Sequence, residues 1–263
     1  MIGQPLDTAT AARITPGTEA DRLAAAVYTA LVGDLSRLTD DDWQRPTDCE
    51  GWTVRDMVAH LVGAAQGHAS LPVFVRQYVW GVRHRKDFGG SGLDAMNQGQ
   101  IDSLRTQSDA RLVRLLAELA PRAVTGRARR ARLMGWAPIS LDQAGSWYEG
   151  MPTGTTMAEL CAVVLTRDVW AHRLDLARAV GTTPSVDATV DGPIVADLVT
   201  DWAHRHGEPF TLFLTGEAGG HFRAGQDGPS LTMASLDFAR LMAGRRPDGD
   251  VPHSPLWATK ALF

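Results

Sequence analysis

The amino-acid sequence predicts a mainly helical protein, with an N-terminal four-helix bundle over residues 1–184 and a small α+β domain over residues 185–263. Three observations support this prediction. Apolar residues recur at helical spacing in several long segments before Pro184. Loops rich in Gly, Pro and Asp separate these segments. After Pro184, short runs of β-branched and aromatic residues stand between helical stretches, which is typical of an α+β domain.

The first two bundle helices have N-terminal signals. The first helix begins near Thr18 and carries apolar residues at helical spacing over the next five turns. The second begins at Thr53, whose hydroxyl can cap the helix together with Asp56 three residues further on. This second helix runs to about His68. Residues 1–16 are small and polar, and we predict that they are disordered.

The middle of the bundle is less regular. A helical stretch is predicted over residues 73–84, and a Gly-rich loop over residues 86–92. The next bundle helix begins at Ser108-Asp109 and has a stripe of leucines. Residues 133–155 contain Gly, Pro and Ser at many positions, so we predict an irregular segment there. Long irregular segments inside compact domains are often functional.

The last bundle helix has signals at both ends. Thr156 and Glu159 have the spacing of a capping box, and the helix that they open is predicted to run to Val180. Gly181 then stands where a left-handed C-terminal residue belongs. Beyond it, the pattern predicts a helix over residues 192–206, strands over 210–214, 221–223 and 231–233, and a helix over 235–243.

Composition restricts the class of partner. The chain has 263 residues, a formal charge of −4 and an isoelectric point near 6.0. A weakly acidic surface argues against nucleic acid or an anionic membrane as the main partner. No apolar stretch reaches the roughly 18 residues of a membrane span. With two cysteines and no signal-peptide pattern, we predict a soluble, cytoplasmic protein.

Two predicted helices place polar residues on apolar faces. At about 100° per residue, Cys161, Leu165, Asp168 and His172 fall within roughly 60° of one another, so Asp168 and His172 should look into the bundle. Arg167 and Arg173 fall on other faces and are predicted to reach water. On the second helix, His60 shares its face with apolar and small residues. A buried carboxylate needs a partner, and a metal ion is one possibility.

Two histidines and one carboxylate are the ligand set of a catalytic Zn²⁺ site with an open fourth position. Ni²⁺, Fe²⁺ or Mn²⁺ would accept the same donors. Spacing alone leaves a second interpretation, in which Asp168 and His172 simply form a hydrogen bond within the helix. Cys49 and Cys161 are predicted to be structural, because buried cysteines usually behave as small apolar residues.

The sequence resembles the mycothiol-dependent maleylpyruvate isomerase family of actinobacteria, within the wider group of DinB-like metal-binding bundles. Three patches carry the resemblance. The first contains Trp43, Pro46, Thr47, Cys49, Gly51, Trp52, Thr53, Val54, Asp56, His60 and Leu61; the second Arg167, Asp168, Trp170, His172 and Asp175; the third Leu214, Thr215, Gly216, Gly219, Gly220, Arg223, Gly225, Phe238, Leu241, Gly244 and Arg245. The third patch is similar to the family's C-terminal domain, which is related to sterol-carrier-like folds.

The resemblance implies that His60, Asp168 and His172 bind a divalent metal, with Zn²⁺ the expected ion, and that mycothiol is the co-substrate. In the family the metal holds the thiol of the cofactor, and coordination deprotonates a thiol. The thiolate would attack a small electrophile, as an S-transferase or as a cis-trans isomerase. The family has Glu where this chain has Asp168, whose side chain is one methylene shorter.

Two other functions stay open at this point. The metal could activate water, because zinc lowers the pKa of bound water to roughly 7, and the protein would then be a hydrolase. The protein could also be a non-catalytic ligand-binding module with a degenerate site, a possibility that Asp168 in place of Glu favours. The sequence assigns no further catalytic side chain, and it does not indicate an oligomeric state.

Overall fold

The computed structural model describes residues 5–8, 11, 13–141, 149, 152–261 and 263. The chain divides into two compact units. The helical unit consists of Thr15–Gly145 and Thr153–Pro184, and the mixed unit of Met1–Ile14, Ser146–Pro152 and Ser185–Phe263. That residues 1–184 and 185–263 are separate domains stays a prediction.

The helical unit has a four-helix bundle at its centre, as predicted. Its helices are α1 (Thr18–Leu35), α2 (Val54–Ala69), α3 (Leu71–His84), α4 (Gly92–Ser103), α5 (Asp109–Met134), α6 (Met157–Glu159) and α7 (Leu165–Ala179). Helices α1, α2, α5 and α7 contact one another and form the bundle. Helices α3 and α4 pack together and lie against α2. The apolar stripes of the bundle helices are buried, which accounts for its stability.

Local sequence signals determine the start of α2. The Thr53 hydroxyl accepts a hydrogen bond from the Asp56 backbone N–H, and an Asp56 carboxylate oxygen accepts one from the Thr53 N–H. The predicted capping box is therefore present, and it satisfies two backbone donors that the first turn would otherwise leave unpaired. This start places His60 two turns into the helix.

Helix α4 was not predicted. Its sequence is rich in Gly, Asn, Gln and Asp, so it has no strong apolar stripe for a periodicity argument to detect. The Ser91 hydroxyl caps its first turn by accepting from the Asp94 N–H. Packing against α2 and α3 then holds the helix in place. Tertiary contacts compensate here for a weak local signal.

The predicted helix from Thr156 to Val180 is interrupted. A π-helical turn, Leu160–Val164, lies between α6 and α7. A π turn adds a residue to the helical repeat, so Cys161 does not keep the spacing with Asp168 that a regular helix would have. Beyond α7, Gly181 adopts the predicted left-handed conformation, with φ of 71°.

Two arginines of α7 contradict the prediction that they reach water. Arg167 is 1% exposed and Arg173 is 3% exposed. The Arg173 Nε donates to Asp34 Oδ2 on α1 at 2.5 Å, so an ion pair compensates for the burial of its charge. The spacing argument failed because α7 is buried on more than one face.

Residues 138–140 and 154–156 pair as a short antiparallel hairpin, with strands β2 (Pro138–Ser140) and β3 (Gly154–Thr156). The predicted irregular segment, 133–155, therefore begins and ends with ordered backbone. Residues 142–148, 150 and 151 of that segment lie outside the described residues.

The mixed unit is an α+β structure, as predicted. It contains β1 (Leu6–Asp7), α8 (Asp191–His206), β4 (Phe210–Thr215), β5 (Gly220–Ala224), β6 (Ser230–Ala234) and α9 (Ser235–Met242). The sheet has the order β1-β5-β4-β6, with β4 antiparallel to β5 and parallel to β6. Trp202 of α8 is fully buried between Phe210, Phe238 and Trp257 and forms the centre of the core.

The described part of the N-terminal segment is ordered, contrary to prediction. Strand β1 pairs in parallel with β5. The Arg13 Nε lies 2.7 Å from Asp197 Oδ1, and the Asp197 side chain is buried. No local pattern in residues 1–16 indicates these partners, because they lie 184 residues away for Arg13 and 215 residues away for Thr8. Among the described residues, no helix is long and apolar enough to cross a membrane.

Candidate metal centre

The structure brings together all three predicted ligands. One donor atom from each of His60, Asp168 and His172 lies within 4.8 Å of the other two. His60 comes from the middle of α2, and the other two come from successive turns of α7. The two imidazole rings are 5.5 Å apart between centroids and nearly perpendicular. Such a spacing of N, N and O donors can hold one divalent ion.

A chain of side-chain amides orients His60. The Gln77 Nε2 donates to the Gly63 backbone carbonyl at 2.8 Å, which leaves Gln77 Oε1 to accept from Gln100 Nε2 at 3.3 Å. Gln100 therefore presents Oε1 to His60 Nδ1, at 2.9 Å. Because an amide oxygen can only accept, the proton of neutral His60 lies on Nδ1, and the lone pair of Nε2 is free for a metal.

The electrostatic environment also prepares His60 as a ligand. Burial and the neighbouring His172 lower the pKa of His60 to about 4, although Asp168 and Gln100 oppose this shift. The ring is therefore neutral at physiological pH. A neutral imidazole is the form that binds metals.

His172 lies between two carboxylates. Its Nε2 is 3.5 Å from Asp168 Oδ1, and its Nδ1 is 3.4 Å from Asp175 Oδ2. Burial alone would lower the pKa of His172, but Asp168, Asp175 and Cys49 together raise it well above its ordinary value. Asp175 is fully buried and takes the position of a carboxylate that orients a metal-binding histidine through the other ring nitrogen.

Asp168 is more exposed than predicted. Its side chain is 32% exposed, whereas the side chain of His172 is 11% exposed. The inward face predicted for Asp168 is therefore only partly correct. The candidate metal site is therefore open to solvent beside Asp168 and closed beside the two histidines.

Trp52, which precedes α2, covers the histidines. Its ring lies 5.1 Å from that of His60 and 6.5 Å from that of His172, measured between centroids. An apolar ring in this position excludes water and lowers the local dielectric, which strengthens the interaction of a metal ion with its ligands.

The two cysteines differ in position. Cys49, predicted to be structural, has its Sγ within 4.8 Å of donor atoms of His172 and Asp175. Cys161 is buried, and its thiol contacts Met157 Sδ at 3.6 Å. The sequence argument missed three neighbours of the ligands: Gln100, Asp175 as a partner of His172, and Cys49. Asp175 and Cys49 had a sequence signal, because both stand in the patches that carry the family resemblance, whereas Gln100 had none.

Comparisons with known proteins agree with this fold. A sequence model described as the mycothiol maleylpyruvate isomerase N-terminal domain matches residues 24–177, which is more than half of the chain. A crystal structure of the mycothiol-dependent maleylpyruvate isomerase is similar, with a TM-score of 0.53 and 20% identity over 90% of this chain and 95% of that one. A histidine-to-alanine mutant of that enzyme matches with a TM-score of 0.53 and 19% identity over the same shares. No curated protein matches the chain.

Proposed function

Because this chain belongs to the mycothiol maleylpyruvate isomerase family, we propose that it is a metal-dependent enzyme that uses a low-molecular-weight thiol, mycothiol, on a small electrophilic substrate. The reaction would be an isomerisation or an S-transfer. The observation that carries the proposal is the group of His60, Asp168 and His172, with donor atoms within 4.8 Å of one another. A cytoplasmic location is part of the same proposal.

We propose that these three residues hold a divalent ion, with Zn²⁺ as the expected one. The donor set fits: two imidazole nitrogens and one carboxylate oxygen form the common three-ligand set of catalytic zinc. Gln100 and Asp175 each contact the Nδ1 of one ligand histidine, as the outer partners of zinc-binding histidines usually do. A bound ion would supply a deprotonated thiol at neutral pH.

The remaining contributions come from the chain itself. The Asp168 carboxylate supplies the one formal negative charge among the three donors. Its partial exposure leaves a path by which a thiol and a substrate can approach. Trp52 covers the two histidines and limits the access of water, which would compete with a thiol. Asp175 and Gln100 keep the rings in one orientation, so that neither ring has to turn when an ion binds. His172, whose pKa is raised, would release its proton on binding.

Metal content is the first test. We expect about one equivalent of metal in wild type purified without added metal, and none in His60→Ala, measured by elemental mass spectrometry. His204→Ala is the matched control, because His204 is exposed and lies in the mixed unit. Retention of metal by His60→Ala would show that the ligands are wrong, and wild type without metal would favour a non-catalytic binding module.

Activity is the second test. Maleylpyruvate, the substrate in the name of the similar enzyme, is the first electrophile to assay, with and without mycothiol. We expect turnover only when thiol and metal are both present. Hydrolytic turnover that needs no thiol would contradict the proposal and indicate a metal-dependent hydrolase.

A further inference from the structure

The interior of the bundle contains an arginine that the metal centre does not use. Arg127 of α5 is 2% exposed. Within the described part of the chain, its Nε and Nη1 are shielded from solvent and have no hydrogen-bond acceptor. Its Nη2 has only a long contact, 3.5 Å, to the Thr166 hydroxyl. A buried guanidinium without a counter-charge is expensive, so this residue needs an explanation.

Arg130, three residues further along the same helix, differs from Arg127 because its guanidinium has hydrogen-bond acceptors. Its Nη2 donates to the backbone carbonyls of Gly67 and His68, at 2.6 and 3.1 Å. Gly126 makes this approach of α5 to α2 possible, because a Cβ there would lie 2.0 Å from the His68 carbonyl oxygen. Arg127, on the same helix, instead contacts Tyr28 of α1 and Thr166 of α7.

Two further polar groups near Arg127 also have no partner among the described residues. The guanidinium carbon lies 5.6 Å from the centre of the Tyr28 ring, and the Tyr28 hydroxyl is buried and unpaired. The Nδ1 of His68 is likewise shielded and unpaired. The charge of Arg127 acts on both residues. Together with burial, it lowers the pKa of His68, and it opposes the rise in the pKa of Tyr28 that burial causes.

These groups can all donate hydrogen bonds: the Nε and Nη1 nitrogens of the guanidinium, a phenol O–H, and an imidazole N–H in one tautomer. What they lack is an acceptor with a negative charge. We propose that Arg127, Tyr28 and His68 form a site inside the bundle that binds a carboxylate group of the small-molecule substrate. A carboxylate has two oxygens that accept about four hydrogen bonds, and its single charge balances one arginine.

The position suits a substrate of the metal centre. Through Thr166, Arg127 contacts α7, the helix that also carries the proposed ligands Asp168 and His172. The charge of Asp168 also adds to the rise in the pKa of Tyr28 that burial causes. The site for a carboxylate goes beyond the proposed thiol chemistry, and it rests on that function only for the identity of the carboxylate as part of the substrate.

Acetate is the probe, and acetamide is its uncharged control of nearly equal shape. Binding is measured by ligand-observed NMR on the full-length protein, with and without EDTA, so that acetate bound to a metal can be subtracted. We expect acetate binding that survives chelation and that exceeds acetamide binding. Arg127→Met should lower the affinity for acetate roughly tenfold or more, the usual loss for a charge-assisted hydrogen bond.

Arg129→Met is the matched control, because Arg129 is exposed on the same helix and its loss should leave acetate binding unchanged. If Arg127→Met does not fold, Tyr28→Phe removes one donor without removing the ring and should weaken acetate several-fold. Equal binding of acetate and acetamide, or unchanged acetate affinity in Arg127→Met or Tyr28→Phe, would overturn the proposal. Tighter binding of inorganic phosphate than of acetate would overturn the assignment to a carboxylate. None of these results depends on metal content or on thiol-dependent turnover.

Discussion

Gln100 Oε1 lies 2.9 Å from His60 Nδ1, and this contact determines which nitrogen of His60 faces the other donors. The orientation of the Gln100 amide depends in turn on Gln77, which is bonded to the backbone carbonyl of Gly63. A fixed backbone group on α2 therefore controls, through two side chains, the tautomer of a histidine one turn earlier on the same helix. Helix α4 contributes to the metal centre without supplying a ligand.

Replacement of Gln100 by leucine should weaken metal binding. The variant keeps a side chain of similar size but removes the acceptor for His60 Nδ1, so we expect metal affinity to fall by roughly 10- to 100-fold, as for other outer partners of ligand histidines. Competition with a chromophoric chelator would measure the metal affinity of the variant and of wild type. Gln98→Leu is the control, because Gln98 is on the same helix and bonds only to Asp102 among the described contacts. Equal affinity in Gln100→Leu and wild type would contradict the role assigned to Gln100.

Gly63→Ala should disturb the contact between Gln100 and His60 by a steric clash. An added Cβ would lie 2.5 Å from the Gln100 Cβ and 3.2 Å from its Cα, so helix α4 would have to move. We expect a loss of roughly 1–3 kcal/mol in the free energy of unfolding, together with weaker metal binding.

Gly33→Ala is the matched control for this glycine. A Cβ at Gly33 on α1 would meet only the end of the Arg37 side chain, at 3.9 Å. Its higher helix propensity should stabilise the protein by up to about 1 kcal/mol. Urea unfolding of both variants tests the pair, and destabilisation of equal size in the two would argue against the close approach at Gly63.

Asp168 can be tested by two substitutions of opposite effect. Asp168→Glu should keep the metal, because the side chain is partly exposed and the longer carboxylate has room to adjust. Asp168→Asn keeps the size but removes the charge, so we expect most of the metal to be lost. Metal content after dialysis distinguishes the two variants. Full occupancy in Asp168→Asn would show that Asp168 is a hydrogen-bond partner of His172 and not a ligand.

His68, whose Nδ1 is shielded from solvent, should make the metal-free protein less stable in acid. Burial, together with Arg127 and Arg130, lowers the pKa of His68 well below 6.5 in the folded state, whereas the unfolded chain has the ordinary value. Below pH 6.5 the unfolded state therefore binds a proton that the folded state does not. Stability should fall by about 1.4 kcal/mol per pH unit for this residue alone.

His60 adds a similar contribution between pH 6.5 and about 4, so the effect of His68 must be isolated by substitution. In His68→Gln, the slope of unfolding free energy against pH between 6.5 and 5 should be smaller by about one proton equivalent than in wild type. His204→Gln, at an exposed site, should leave the slope unchanged. An unchanged slope in His68→Gln would mean that His68 is protonated in the folded protein.

Much of the fold was predictable because its signals are local. The capping box of Thr53 and Asp56, the left-handed Gly181 and the three short β-rich runs each depend on a few neighbouring residues, and the structure confirms them. The spacing of Asp168 and His172, with the resemblance of the surrounding patches, was enough to select the donors that the structure brings together with His60.

Tertiary structure alone decided the surroundings of those donors. Gln100 lies 40 residues from His60 on a helix with no strong apolar stripe, so no local pattern connects the two residues. The burial of Arg127 and Arg173 depends on which faces the neighbouring helices cover, and the π turn before α7 changes the register that a regular helix would have. Helical spacing indicates which residues share a face, but only packing determines what that face meets, because contacts between distant segments form when the whole bundle assembles.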